Sequence, residues 1–178
     1  MINNLYLLIS ILPFAFALHN IEEVFGMEKW TKSIPSFIHQ PVTTRQFAIA
    51  VGLFTLLGFV IILTKNYYQT EMQYLYMVSG FAGMLFLNVF IPHLIATIYL
   101  KKYAPGAITG LLINLPLTTI ILCTIIKSQK LTIIQVSISV IIGGIIGIVL
   151  AFSLLKIGKI IDDKIKRESV NIKKTTNR

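Results

Sequence analysis

The sequence predicts an all-α fold, a polytopic integral membrane bundle of five transmembrane helices, N-terminus outside and C-terminus cytoplasmic. Three observations predict it. Apolar residues make up 55% of the 178 positions and charged residues only 13%, against about half and about a quarter in soluble domains. Mean hydropathy is +0.78. The charges fall between long apolar runs, which excludes the soluble classes.

A spanning helix needs about 20 mostly apolar residues, because the hydrocarbon core is about 30 Å thick and each residue advances about 1.5 Å. Residues 5–25 form the first such segment, apolar to Leu18 and then carrying His19, Glu22 and Glu23. The others are 46–64, 74–100, 107–126 and 131–155. Domain organisation follows: 1–155 is the transmembrane domain and 156–178 a basic amphipathic cytoplasmic tail. In the tail Ile157, Ile160, Ile161 and Ile165 recur at helical spacing among lysines, so the tail is expected on the anionic inner leaflet.

Orientation follows from the basic residues. Lys29, Lys32, Arg45, Lys101, Lys102 and eight residues of the tail fall on one side, thirteen in all; Lys65, Lys127 and Lys130 fall on the other. The side with thirteen is the cytoplasm by the positive-inside rule. A rival reading makes Ala15-Phe16-Ala17 a signal-peptide cleavage site, but no basic residue precedes the apolar stretch, as such a peptide requires. The net charge of +9 is explained at a membrane surface, and no motif points to nucleic acid. Cys123 is the sole cysteine, so an intrachain disulfide is impossible. The localisation expected is the plasma (cytoplasmic) membrane of a prokaryote.

The chemistry lies in the polar residues of the spans. His19, Glu22 and Glu23 are spaced i, i+3, i+4 and share one helix face, with the small residues Ala15 and Gly26 alongside. Carboxylates near hydrocarbon need a proton, a basic partner or a metal. With the N-terminus outside, His93, Arg45 and Asn114 lie at the same depth, and Asn88 is nearer mid-membrane. Pro92 frees the carbonyl of Asn88 and Pro116 that of Leu112, so both helices are expected to kink beside a buried amide. Freed backbone at that depth is tolerated only beside protein or a wet cavity.

The pentapeptide His19-Asn20-Ile21-Glu22-Glu23, near the end of a first apolar span, resembles the HXXEE-motif membrane proteins. The Pro92-His93 region and the turn Tyr103-Ala104-Pro105-Gly106 are similar to features of that family. The family is functionally uncharacterised, so the resemblance implies a class and no reaction.

The residues suggest one. The inverted zincin pattern H-x-x-E-H binds metal through its end residues and uses the i+3 Glu as general base. By that analogy His19 and Glu23 are ligands, Glu22 is the base and His93 is a third ligand. Two His and one carboxylate suit a divalent metal, Zn or Fe. Asn88, Asn114 and Arg45 are candidates to polarise or hold a substrate, and His39, in a loop with Trp30 and Phe37, to cover the site or supply a fourth ligand. The expected activity is a metal-dependent, hydrolase-like reaction on a lipid or amphiphilic substrate at the cytoplasmic leaflet. The alternative is proton- or cation-coupled transport, or small-ligand binding, by the same cluster. A structural reading also stands, in which the acids are hydrated at the interface or paired with Arg45. The turn at 103–106 reads as a tight link between two helices. Gly143 and Gly147 are spaced for close helix packing, either within the chain or against a second copy as a homo-oligomer.

Overall fold

The computed structural model describes residues 2–176. Its elements are α1 (Ile2–Lys32), α2 (Thr44–Leu63), α3 (Glu71–Asn88), α4 (Ile95–Leu100), α5 (Ala107–Thr109), α6 (Leu115–Lys127) and α7 (Ile133–Thr176). Wide π-type turns at Val89–Leu94 and Gly110–Asn114 join α3 to α4 and α5 to α6. Among the described residues these make five helices long and apolar enough to cross a membrane, Asn4–Lys32, Thr44–Leu63, Glu71–Leu100, Ala107–Lys127 and Ile133–Ser169.

The buried stripe of α1 runs Leu5, Ile9, Leu12, Phe16, then His19 and Glu23. Steps of three and four residues keep these on one face, so a single stripe changes from apolar to polar along the helix. Its apolar part meets Leu75, Val78, Ala82 and Leu85 of α3 and Ile121 and Ile125 of α6 in the main core. The polar part has no such partners and defines the site.

Both prolines interrupt their helices, as expected. At Pro92 the break is sharp: Ile91 has φ −125° and ψ 111°, extended values inside an otherwise helical run. The span read as one helix over 74–100 is therefore two helices with a wide turn between them. The residues after the break are displaced sideways, and His93 lands in the protein interior. Leu112 lies in the second wide turn, which closes just before Pro116 in the first turn of α6.

Helix α7 lies across α3 and α2. A Cβ on Gly143 would overlap the backbone carbonyl of Gly80, and one on Gly147 would run into the Met84 side chain. The glycine face thus packs within the chain. Further along, Gly158 approaches the carbonyl of Gln46, and Asp162 receives Arg45, Thr43 and Lys166. The boundary expected at residue 155 falls inside this helix, which continues unbroken to Thr176. At about 1.5 Å per residue its 44 residues span about 66 Å, twice the hydrocarbon thickness. The lysines lower the hydropathy there without interrupting the helix, and residues 158 and 162 dock on the start of α2.

Each end of the bundle is tied by polar contacts. At one end Lys102 Nζ donates to the carbonyl of Ser33 at 2.7 Å, and the Glu28 carboxylate accepts from the backbone and hydroxyl of Thr44, both at 2.6 Å. At the other, Lys130 pairs with Glu71 at 2.8 Å, Tyr6 donates to Glu71, and the Lys65 ammonium sits over the Tyr6 ring. The cluster on α1 belongs to the first end.

Candidate metal centre

His19 and Glu23 are one turn apart on α1, and His93 enters from the wide turn after α3. Their ligand atoms all lie within 4.8 Å of one another. Glu23 Oε1 is 3.2 Å from His93 Nε2 and 3.8 Å from His19 Nε2. The imidazoles meet edge to face, centroids 4.8 Å apart. All three residues are buried.

Asn88, the last residue of α3, completes the group. Its amide nitrogen is 3.1 Å from Nε2 of His19 and 3.1 Å from Nε2 of His93. A side-chain NH2 has two hydrogens and no lone pair to give, so it donates one bond to each ring and both Nε2 atoms are acceptors. The proton of His19 then sits on Nδ1, which is 3.0 Å from the Thr109 hydroxyl. A hydrogen bond from the remote ring nitrogen is the usual way a metal-binding histidine is held in the right tautomer. Two ring nitrogens, each accepting from Asn88, and a carboxylate therefore meet, and among the described residues the ion-pair partners of Glu23 are these two histidines alone.

Gly106 closes the group from above. Its φ is +92°, and a Cβ there would lie 2.7 Å from His93 Cε1, 2.8 Å from His19 Cε1 and 3.0 Å from Glu23 Cγ. Only glycine fits both that backbone conformation and that contact. Pro105, one residue earlier, packs on Gly26 of α1, where a Cβ would come within 2.6 Å of Pro105 Cγ. The small residue on the polar face of α1 is what lets the turn come so close.

Glu22 points elsewhere than its neighbour. Its carboxylate accepts from the backbone N–H of Gly106 at 2.9 Å, Ile108 at 3.4 Å and Thr109 at 2.8 Å, and from the Tyr103 hydroxyl. Burial, and then the Glu22 carboxylate beside it, push the Tyr103 phenol up to about 12, so it remains a donor through the physiological range.

The remaining candidates are spread out. Asn114 is fully buried in the second wide turn, one turn beyond Gly110, whose Cα faces the His19 ring; its own amide has no hydrogen-bond partner among the described residues. Arg45 is engaged with Asp162 of α7, away from Glu22 and Glu23. His39 is in an exposed loop, its Nδ1 2.6 Å from the carbonyl of Gln40 and its ring against Trp30. Thr109 was not among the residues singled out from the sequence, and Gly106 was named only as part of the 103–106 turn. A glycine after proline, followed three residues later by a hydroxyl at the start of an apolar span, was the available signal.

The donor set suits a transition metal: two imidazole nitrogens and one carboxylate oxygen are ligands that Zn(II) and Fe(II) accept, with further positions open. Gly106 packs directly on the ligand side chains, with no room even for a methyl group between them.

Comparison with known proteins agrees with the pentapeptide. The family described as "protein of unknown function with HXXEE motif" matches residues 10–121. An uncharacterised protein of Bacillus subtilis (strain 168), YrkK, is 34% identical over 145 residues, covering 82% of this chain and 91% of that protein. No solved structure matches. The family match contains His19, Glu22, Glu23, Asn88, His93, Gly106 and Thr109 and ends before α7. With more than half its length matched, this chain belongs to the HXXEE-motif family.

Proposed function

We propose that the protein is a metal-dependent membrane enzyme in which His19, Glu23 and His93 hold a divalent ion, Zn or Fe, and act on a lipid or other amphiphilic substrate. The observation that carries this reading is the convergence of three electron-pair donors within 4.8 Å with no lysine or arginine paired to Glu23 among the described residues. Buried carboxylates are paired, protonated or metal-bound. When bound, such an ion activates a water molecule and polarises a carbonyl or phosphoryl oxygen, the chemistry of a hydrolase.

The chain supplies the surroundings. Asn88 donates to both Nε2 atoms and would turn aside for an ion to take their lone pairs, Thr109 holds the far side of His19, and Gly106 covers the group. Glu22 is a weak candidate for general base, because both its oxygens already accept hydrogen bonds. The site lies at the end of the bundle that carries Lys29, Lys32, Arg45, Lys101 and Lys102, and the positive-inside rule supports placing that end, with the basic residues of α7 and the anionic leaflet, on the cytoplasmic side. A site at headgroup depth favours a substrate that partitions into the membrane.

Metal content of detergent-purified protein, beside a His19→Ala, Glu23→Ala double variant, tests the reading. One equivalent in the wild type and none in the folded double variant is the expected result; no stoichiometric metal in either removes it. One observation favours the second reading, proton-coupled transport: Glu23 lies at hydrogen-bond distance, 3.2 Å, from His93 Nε2, so a ring carrying a proton there would donate to the carboxylate in place of accepting from Asn88. That reading requires metal-free protein and a Glu23-dependent proton flux in proteoliposomes.

A further inference from the structure

We infer that Glu22 and Thr109 are positioning residues for this site: Glu22 clamps the 103–109 turn over the ligands, and Thr109 holds His19 in the tautomer that keeps its Nε2 an acceptor. The inference rests on the metal-site reading and assigns work to the residue that the sequence pattern offered as a base.

The two adjacent acids of the pentapeptide are about 100° apart around α1. Glu23 falls on the buried stripe with His19. Glu22 falls to one side, where the turn between α4 and α5 passes. Three backbone N–H groups of that turn and the Tyr103 hydroxyl converge on it. Four donors on one carboxylate are more than a tight link between helices requires. The turn they hold is the one that touches the ligands: Gly106 gives its N–H to Glu22 while its Cα faces both imidazole Cε1 atoms, and Thr109 gives its N–H to Glu22 while its hydroxyl meets His19 Nδ1. Each residue thus joins the clamp on one side and the ligands on the other. The pairing makes the height of the turn over the ligands and the orientation of His19 depend on one carboxylate that touches neither.

Glu22→Gln keeps the size of the side chain but turns one acceptor into an NH2 facing backbone donors. Thr109→Val keeps the shape and removes the oxygen that Nδ1–H needs. Thr109→Ser restores it. Loss of such supporting contacts typically weakens metal binding by about 10- to 100-fold.

The experiment measures Zn(II) affinity by chelator competition on the full-length protein in detergent, and the His19 tautomer by imidazole 15N shifts on metal-free protein. Glu22→Gln and Thr109→Val are expected to bind Zn(II) about 10- to 100-fold more weakly and to shift His19 toward its Nε2–H form, with Thr109→Ser close to wild type. Wild-type affinity and an unchanged tautomer in Thr109→Val overturn the inference, and the Thr109 pair decides it if Glu22→Gln does not fold. A wild type that binds no Zn(II), yet whose tautomer responds to Thr109→Val, supports the positioning roles and overturns the metal site alone.

Discussion

Two carboxylates are buried among the described residues, Asp162 and Glu23, and their surroundings differ. Asp162 on α7 meets Arg45, Lys166 at 2.6 Å and the Thr43 hydroxyl at 2.9 Å. Its charge is matched by fixed cations and its lone pairs by fixed donors, so nothing remains for a further partner. Glu23 on α1 meets two imidazoles whose facing nitrogens are acceptors. The first arrangement is complete and ties α7 to the start of α2. The second has no fixed cation among the described residues and is a group that could hold a metal ion. The difference separates an acid neutralised by cations from one that faces only imidazoles, and it explains why Arg45 does not reach the α1 cluster: Asp162 has it.

The comparison can be broken most directly at the ligands. His93→Ala is expected to lower Zn(II) affinity by more than about 100-fold, since loss of a supporting hydrogen bond alone costs about 10- to 100-fold. Asp162→Asn is expected to leave affinity unchanged; chelator competition on both variants checks the contrast. If Asp162→Asn weakened binding as much as His93→Ala, the two regions would not be independent.

Gly106→Ala comes next. It places a non-glycine residue at φ +92° and a methyl group 2.7 Å from the His93 ring; the left-handed backbone alone costs about 1–2 kcal/mol. Loss of Zn(II) binding with most helicity retained is the expected outcome, by competition and circular dichroism. A smaller and opposite effect is expected at the other acid: Asp162→Asn lowers the melting temperature by a few degrees at unchanged metal content, by calorimetry.

The smallest effect concerns Tyr103. Its folded value, about 12, exceeds the ordinary 10.0, so the stabilisation from the neutral phenol is fully present below pH 10 and is lost as the pH rises through about 12. The gap in melting temperature between wild type and Tyr103→Phe is therefore expected to be constant below pH 10 and to narrow above it. A gap independent of pH would detach Tyr103 from the Glu22 clamp.

Much of this was legible in the sequence. Five apolar runs located the five helices long enough to cross a membrane, the i, i+4 spacing put His19 and Glu23 on one face, and Pro92 marked the break that carries His93 inward. What stayed hidden depended on azimuth or on partners remote in sequence. Glu22 and Glu23 are indistinguishable as neighbouring letters, and only the position of the 103–109 turn separates a clamp from a ligand. Arg45 finds Asp162 117 residues away. Asn88 was placed near the site, but its bond to both imidazoles needed the displacement caused by the break at Ile91. Lysines beyond residue 155 end the apolar run without ending the helix, because lysine is a good helix former. The turn at 103–106 read as a link because turn chemistry reports backbone shape and says nothing of what lies beneath.

The central claim is that two imidazoles and one carboxylate, brought from α1 and the broken third span, bind one ion. Zinc K-edge X-ray absorption on the Zn(II)-loaded protein in detergent tests it most directly. The account predicts one zinc per chain with the multiple-scattering signature of two imidazoles plus a light oxygen shell, falling to a single imidazole or to no bound zinc in His93→Ala. A wild type without bound zinc, or a spectrum that His93→Ala leaves unchanged, would contradict it.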